Sequence, residues 1–116
     1  MTVNLRPSEA LHLWHSAMLR LVQSEAPDLT LRQLSLLLHI YLVPPPHTVR
    51  GLAATLGVTK PVITRALDSM GALGLVRRIR DDRDRRNVII QRTVGGALYL
   101  EKLGDIIIEE GRELAL

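Results

Sequence analysis

The chain has 116 residues, 47% of them apolar and only 3% aromatic, with no Phe, no Cys and a formal net charge of +3. That is sequence for one domain with a core of Leu, Ile, Val and Ala, and too little for two. Without cysteine, disulfides, thiolate zinc sites and thiol redox sensing are excluded. No apolar run reaches the roughly 18 residues of a membrane span, and the N-terminus lacks the basic start and apolar run of a signal peptide, so a cytoplasmic protein with no membrane partner is the default.

In chain order, residues 1 to 7 read as a short arm. A helix is predicted from Ser8, as N-cap with Glu9 in the first turn, to about Ser24, ahead of Pro27. Its apolar set, Ala10, Leu11, Leu13, Trp14, Ala17, Met18, Leu21 and Val22, is wider than one core stripe, so part of it is expected to face another subunit. His12 and His15 lie at a spacing that zinc ligands use, but no third ligand stands nearby. They are read as surface or interfacial residues, and no metal or cofactor is assigned. Thr30 is predicted to cap a second helix, Leu31 to Val43, apolar nearly all round and so buried on several sides. Pro44, Pro45 and Pro46 stop it, and His47 to Val49 is expected as a brief strand beside a later hairpin.

Residues 48 to 93 hold ten basic and four acidic side chains, whereas the residues before them balance and those after are net acidic. Such a cluster is the electrostatic footprint of nucleic-acid binding, because Lys and Arg held on phosphates release condensed counterions. Within it a short helix, Val49 to Leu56, a turn through Gly57 and a second helix from Thr59 make a helix-turn-helix. The Thr59 hydroxyl is expected to cap a first-turn amide, and Pro61 gives up a donor that would be orphaned anyway. Ile63, Ala66, Leu67, Met70 and Leu73 recur at three- and four-residue steps and share the inward face. The outward face carries Thr59, Lys60, Val62, Thr64, Arg65 and Ser69, which can donate to phosphates and base edges or touch a thymine methyl.

After Gly74, the runs Leu75 to Arg80 and Asn87 to Thr93 flank a polar tip, Asp81 to Arg86, and so describe a β-hairpin, or wing. Leu75, Val76, Ile79, Val88 and Ile90 are assigned to the core, and Arg77, Arg78, Arg80 and Arg92 to solvent or phosphate. Thr93 caps a last helix from Val94 to about Leu114. Ile106, Ile107 and Ile108 are consecutive and spread over about 200° of it. With Leu98, Leu100, Leu103 and Leu114 they call for a second packing partner, most simply a two-fold mate.

The segment from about Asp28 to Gly96 resembles the MarR family of bacterial winged helix-turn-helix regulators. The resemblance is carried by DLTLRQLSLLLHI, LAATLGVTKPVITRALDSM, GLV and above all DDRDRRNVIIQRTVGG. That last run is similar to the family's wing signature, an Asp-x-Arg-Asp-x-Arg tip followed by a strand and a Thr-x-x-Gly helix start. It implies a mainly α fold with a small β-hairpin: one winged helix-turn-helix domain over residues 1–116, with 8–24 and 94–114 as dimerisation helices and 48–93 as the DNA-binding part. It also implies that an aspartate at the position of Asp84 braces the wing by pairing with a neighbouring arginine, while Arg83 or Arg85 reaches into the minor groove. A small phenolic or other lipophilic effector between the dimerisation and DNA-binding parts is a further implication. The chain departs from the family in two places. Relatives usually carry a further C-terminal helix, so dimerisation is expected here through the first and last helices, and Arg92 replaces the apolar residue typical before the threonine.

The expected function is a sequence-specific regulator of double-stranded DNA, acting as a homodimeric repressor on a palindromic operator. Thr59, Lys60, Val62, Thr64 and Arg65 are expected in the major groove. Arg83, Arg85 and Arg86 of the wing are expected at the minor groove and phosphates, with Arg77 or Arg50 on the backbone. The alternative is a winged helix used as a protein-interaction module with no operator of its own. An enzyme is not expected, since no Gly-rich phosphate loop, nucleophile elbow or metal-ligand spacing is present.

Overall fold

The computed structural model describes residues 4–114. Its elements run α1 (Pro7–Gln23), α2 (Leu31–Leu42), α3 (Val49–Leu56), α4 (Lys60–Ala72), β1 (Val76–Arg80), β2 (Val88–Arg92) and α5 (Val94–Leu114). They fold as two compact units, one from Leu29 to Leu98 and the other from the segments up to Asp28 and from Tyr99 onward.

The Leu29–Leu98 unit is a winged helix. Its core is Leu34, Leu36, Leu37 and Ile40 of α2, Leu52 and Ala53 of α3, Ile63, Ala66, Leu67 and Met70 of α4, and Leu75, Val76 and Ile90 at the hairpin base. Each Leu or Ile taken fully from water contributes about 1.5–3 kcal/mol, so the three- and four-residue apolar spacings dictate which helix faces meet. α3 ends where Gly57 takes a left-handed conformation (φ 69°), which only a residue without Cβ adopts at no cost and which allows the tight turn into α4.

β1 and β2 pair antiparallel in the register Val76↔Arg92, Arg78↔Ile90 and Arg80↔Val88. Thr48 adds a single bridge to Ile89, and the Ile90 amide donates to the His47 carbonyl at 2.9 Å; of the brief strand expected over His47 to Val49 only this isolated bridge forms, because Val49 already begins α3. Ile79, assigned to the core from sequence, is instead 38% exposed. Side chains alternate along a strand, and the buried side of β1 is set by Val76, which leaves Ile79 on the opposite face. Leu73, likewise assigned inward, lies at the α4 C-cap and is 47% exposed, because the helix has already ended.

In the other unit, Ala17 and Leu21 of α1 and Tyr99, Leu103 and Ile106 of α5 are buried, each set at helical spacing. Arg20 pairs with Glu109 at 2.7 Å and Glu110 at 3.3 Å, and the Tyr99 hydroxyl reaches the Pro27 carbonyl at 3.4 Å. Burial, reinforced by the Asp28 charge, raises the Tyr99 pKa. The start of α1 differs from expectation: Arg6, not Ser8, is the N-cap, with Pro7 at the first helical position. Proline has the φ that position needs and no amide to leave orphaned, and Glu9 reaches back to the Arg6 amide at 3.0 Å. Leu11, Trp14, Leu19, Val22 and Ile108 are largely exposed, and Ile106 is buried while Ile108 is not, as three consecutive isoleucines on one helix require.

Candidate nucleic-acid interface

The basic surface is assembled inside the Leu29–Leu98 unit, on α4 and the wing. Thr59 occupies the N-cap of α4 with extended backbone (φ −80°, ψ 159°), yet its hydroxyl caps nothing. The physical reason is local. The second helical position is Pro61, which has no N–H, and the third, Val62, donates its amide to the Thr59 carbonyl at 3.1 Å. By contrast Thr30 accepts from the Gln33 amide (3.1 Å), Thr48 from Gly51 (3.0 Å) and Thr93 from Gly96 (3.0 Å). The expected Thr59 side-chain cap is therefore absent, and that hydroxyl is left free and exposed at the head of the helix.

Beyond it Lys60, Arg65 and Ser69 are exposed, and Val62 and Thr64 are half-buried. Asp68 is the one acid of α4, and it pairs with Arg78 of β1. Its charge is thereby offset, and Lys60 and Arg65, neither of them in an ion pair among the described residues, set the sign of the outward face. Arg78 is thus a brace between wing and helix and not a free phosphate ligand.

At the wing tip the acids organise the loop. Asp81 accepts the Arg83 amide at 2.9 Å, and Asp84 accepts both the amide of Arg86 (3.1 Å) and its guanidinium (3.3 Å), the bracing expected of that aspartate. Arg80 donates across the tip to the Arg85 carbonyl at 2.6 Å. Arg86 shares its charge with Asp84, while the side chains of Arg83, Arg85 and Arg77 enter no ion pair among the described residues. Two of the three tip carboxylates, Asp81 and Asp84, are thus spent largely on backbone amides, which shapes the turn, while Asp82 is exposed and bonds to nothing among the described residues.

Arg92, assigned from sequence largely to solvent or phosphate, is exposed but its guanidinium is committed to the protein's own backbone. Its guanidinium donates to the carbonyls of Ile40 and Val43 at 2.9 Å each and lies 5.9 Å from the Tyr41 ring centre, so it seals the C-terminal end of α2. Beside it the Tyr41 hydroxyl accepts the Thr93 amide at 2.8 Å and faces the carbonyls of Leu75 (2.9 Å) and Thr93 (3.0 Å).

A second wall also faces the recognition helix. Thr30, Arg32 and Gln33 of the α2 first turn and Val62, Arg65, Ala66 and Ser69 of α4 line an open groove of about 310 Å³. Sequence reading missed Arg32; its signal is an arginine in a helix first turn that holds no acid. Among the described residues no group of three His, Asp or Glu side chains converges as metal ligands, and no helix is long and apolar enough to cross a membrane.

The model of a family described as MarR family matches residues 28–87. Curated proteins return no match. Among solved structures, an S. aureus MepR–DNA complex superposes with a TM-score of 0.76 at 24% identity, over 90% of this chain and 82% of that one. A mutant MarR from E. coli complexed with operator DNA gives 0.67 at 25% identity, over 92% and 71%. FabT from Streptococcus pneumoniae in complex with DNA gives 0.69 at 20%, over 91% and 74%. These likenesses are ones of fold.

Proposed function

The chain belongs to the MarR family, and from that premise we propose that it is a transcription regulator that binds double-stranded DNA sequence-specifically, as a homodimeric repressor occluding a palindromic operator. The observation that carries the reading is the set of exposed side chains without carboxylate partners among the described residues on α4 and the wing: Lys60, Arg65, Arg77, Arg83 and Arg85, with the uncapped hydroxyl of Thr59 beside them. Cations gathered on one reading unit without partners can meet phosphates and guanine edges without first giving up an ion pair.

In this reading Thr59, Lys60, Val62, Thr64 and Arg65 enter the major groove, Arg77 meets the backbone, and Arg83, Arg85 and Arg86 hold the flanking minor groove. α1 and α5 serve as dimerisation helices, a second copy covering Leu11, Trp14, Val22 and Ile108, so that two identical readers meet two half-sites. The solved MepR, MarR and FabT structures that contain DNA support the choice of duplex as partner.

Mobility shifts against random-pool and genomic duplexes at rising salt test it. Binding whose logarithm falls linearly with log salt is expected, and Arg65→Ala should cost about 1–3 kcal/mol on the selected site and little on scrambled DNA. No duplex binding at low salt would favour a protein-interaction module, and equal losses on both DNAs would remove Arg65 from base reading.

A further inference from the structure

The groove beside α4 carries, on the α2 side, a guanidinium that the fold neither buries nor pairs among the described residues. Arg32 is the second residue of α2, exposed, and in no ion pair among the described residues. The α2 first turn contains no acid, so Arg32 sits uncompensated at the positive end of the helix macrodipole, where a cation is disfavoured. Neither burial nor pairing offsets that placement. The turn itself is held firmly: Thr30 Oγ1 accepts the Gln33 amide (3.1 Å), and Gln33 Oε1 accepts the Thr30 amide (2.8 Å). Arg32 therefore leaves a fixed base.

Across the groove stands Arg65, with Ser69 beyond it and the apolar Val62 and Ala66 between. No carboxylate lines the groove, and the nearest acid in the α4 sequence, Asp68, is engaged by Arg78. Two guanidiniums and the hydroxyls of Thr30 and Ser69 thus surround a concave, acid-free surface that suits a strand of phosphates. Resting on the DNA-binding reading, we infer that Arg32 is a further DNA-contact residue, a phosphate anchor on the strand bordering the groove that Arg65 reads. Because it comes from a different helix, it fixes how α4 sits along the duplex: Arg65 reads bases, and Arg32 holds the register from which they are read.

The test is a salt titration of binding by full-chain wild type, Arg32→Ala, Arg32→Lys and Arg65→Ala, with two probes: a duplex selected by the wild type from a random pool, and its scrambled counterpart. Arg32→Ala should weaken both duplexes by about tenfold and flatten the log–log salt dependence by about one unit. Arg32→Lys should restore most of the slope, and Arg65→Ala should instead lower the preference between probes. The thermal midpoint of Arg32→Ala should equal that of wild type. Unchanged affinity and slope for Arg32→Ala, in a protein that binds duplex, would overturn the anchor alone; a lowered midpoint that accounts for the weakening would do the same. Wild type that enriches no duplex from the pool and shifts none at low salt would overturn the DNA-binding reading and the anchor with it.

Discussion

Arg92 and Arg83 belong to the same hairpin and meet opposite fates. At the hairpin base Arg92 is consumed by the protein, its guanidinium shared between the carbonyls of Ile40 and Val43, and the neighbouring Tyr41 hydroxyl is surrounded by the backbone of Leu75 and Thr93. At the tip the acids take the backbone amides of Arg83 and Arg86, and the Arg83 side chain is left without an ion-pair partner among the described residues. One end of the wing spends its arginine on backbone carbonyls, and the other leaves the side chains of Arg83 and Arg85 without ion-pair partners among the described residues. An anchored base with open cations at its tip suits an electrostatic reader of DNA, since a charge that already has a partner must lose it before it meets phosphate.

The comparison is broken most severely at its fixed end. Gly96 sits where an added Cβ would overlap the Tyr41 hydroxyl and the Leu75 carbonyl, both of them members of the hydrogen-bonded knot around Tyr41. Gly96→Ala should therefore force the knot apart and destabilise the protein by about 3 kcal/mol, lowering the thermal midpoint by roughly 10 °C. A shift of less than about 2 °C in a melting experiment would mean the wing base is far more yielding than described. The loss should appear without DNA present, which separates it from any effect on reading.

How much of this was visible in the sequence follows from the distance over which each feature is decided. The α4 core of Ile63, Ala66, Leu67 and Met70 was legible because side chains three and four residues apart must share a helix face, and Gly57 marked its own turn; the apolar circumference of α2 did not show that Leu31 and Leu42 stay exposed, nor that of α5 that Tyr99 is buried. Arg92 was not, because its partners at the α2 C-terminus lie 49 and 52 residues away and nothing near Arg92 signals them. Ile79 misled because hydrophobicity alone does not tell which parity of a strand faces inward. In the candidate site, the exposed positions of Lys60 and Arg65 were legible from helical periodicity. The pairing that removes Asp68 and Arg78 from that surface, and the approach of Arg32 to Arg65, depend on how separate elements pack.

A gentler change sharpens the open end. Arg83 and Arg86 flank Asp84, but only Arg86 is paired with it, at 3.3 Å. Under the DNA-binding reading Arg83→Ala should weaken duplex binding several-fold regardless of sequence and lower the salt slope by about one, with Arg86→Ala having the smaller effect because Asp84 already screens that charge. The same pair of titrations decides the point: Arg86→Ala costing more than Arg83→Ala would reverse the assignment of free and braced arginines.

The finest contrast lies between two threonines with the same helix position. Thr30 closes a reciprocal cap with Gln33, and Thr30→Ala should cost about 1 kcal/mol by urea denaturation, as the loss of an N-cap hydroxyl usually does. Thr59→Ala removes a hydroxyl that caps nothing, because Pro61 has no amide and the Val62 amide goes to the Thr59 carbonyl, so stability should change by no more than about 0.3 kcal/mol. If the free hydroxyl at the head of α4 serves the duplex, Thr59→Ala should nonetheless weaken binding to the selected site. An equal stability loss for the two variants would show that Thr59 caps its helix in solution, and the head of the recognition helix would then join the satisfied regions of the molecule.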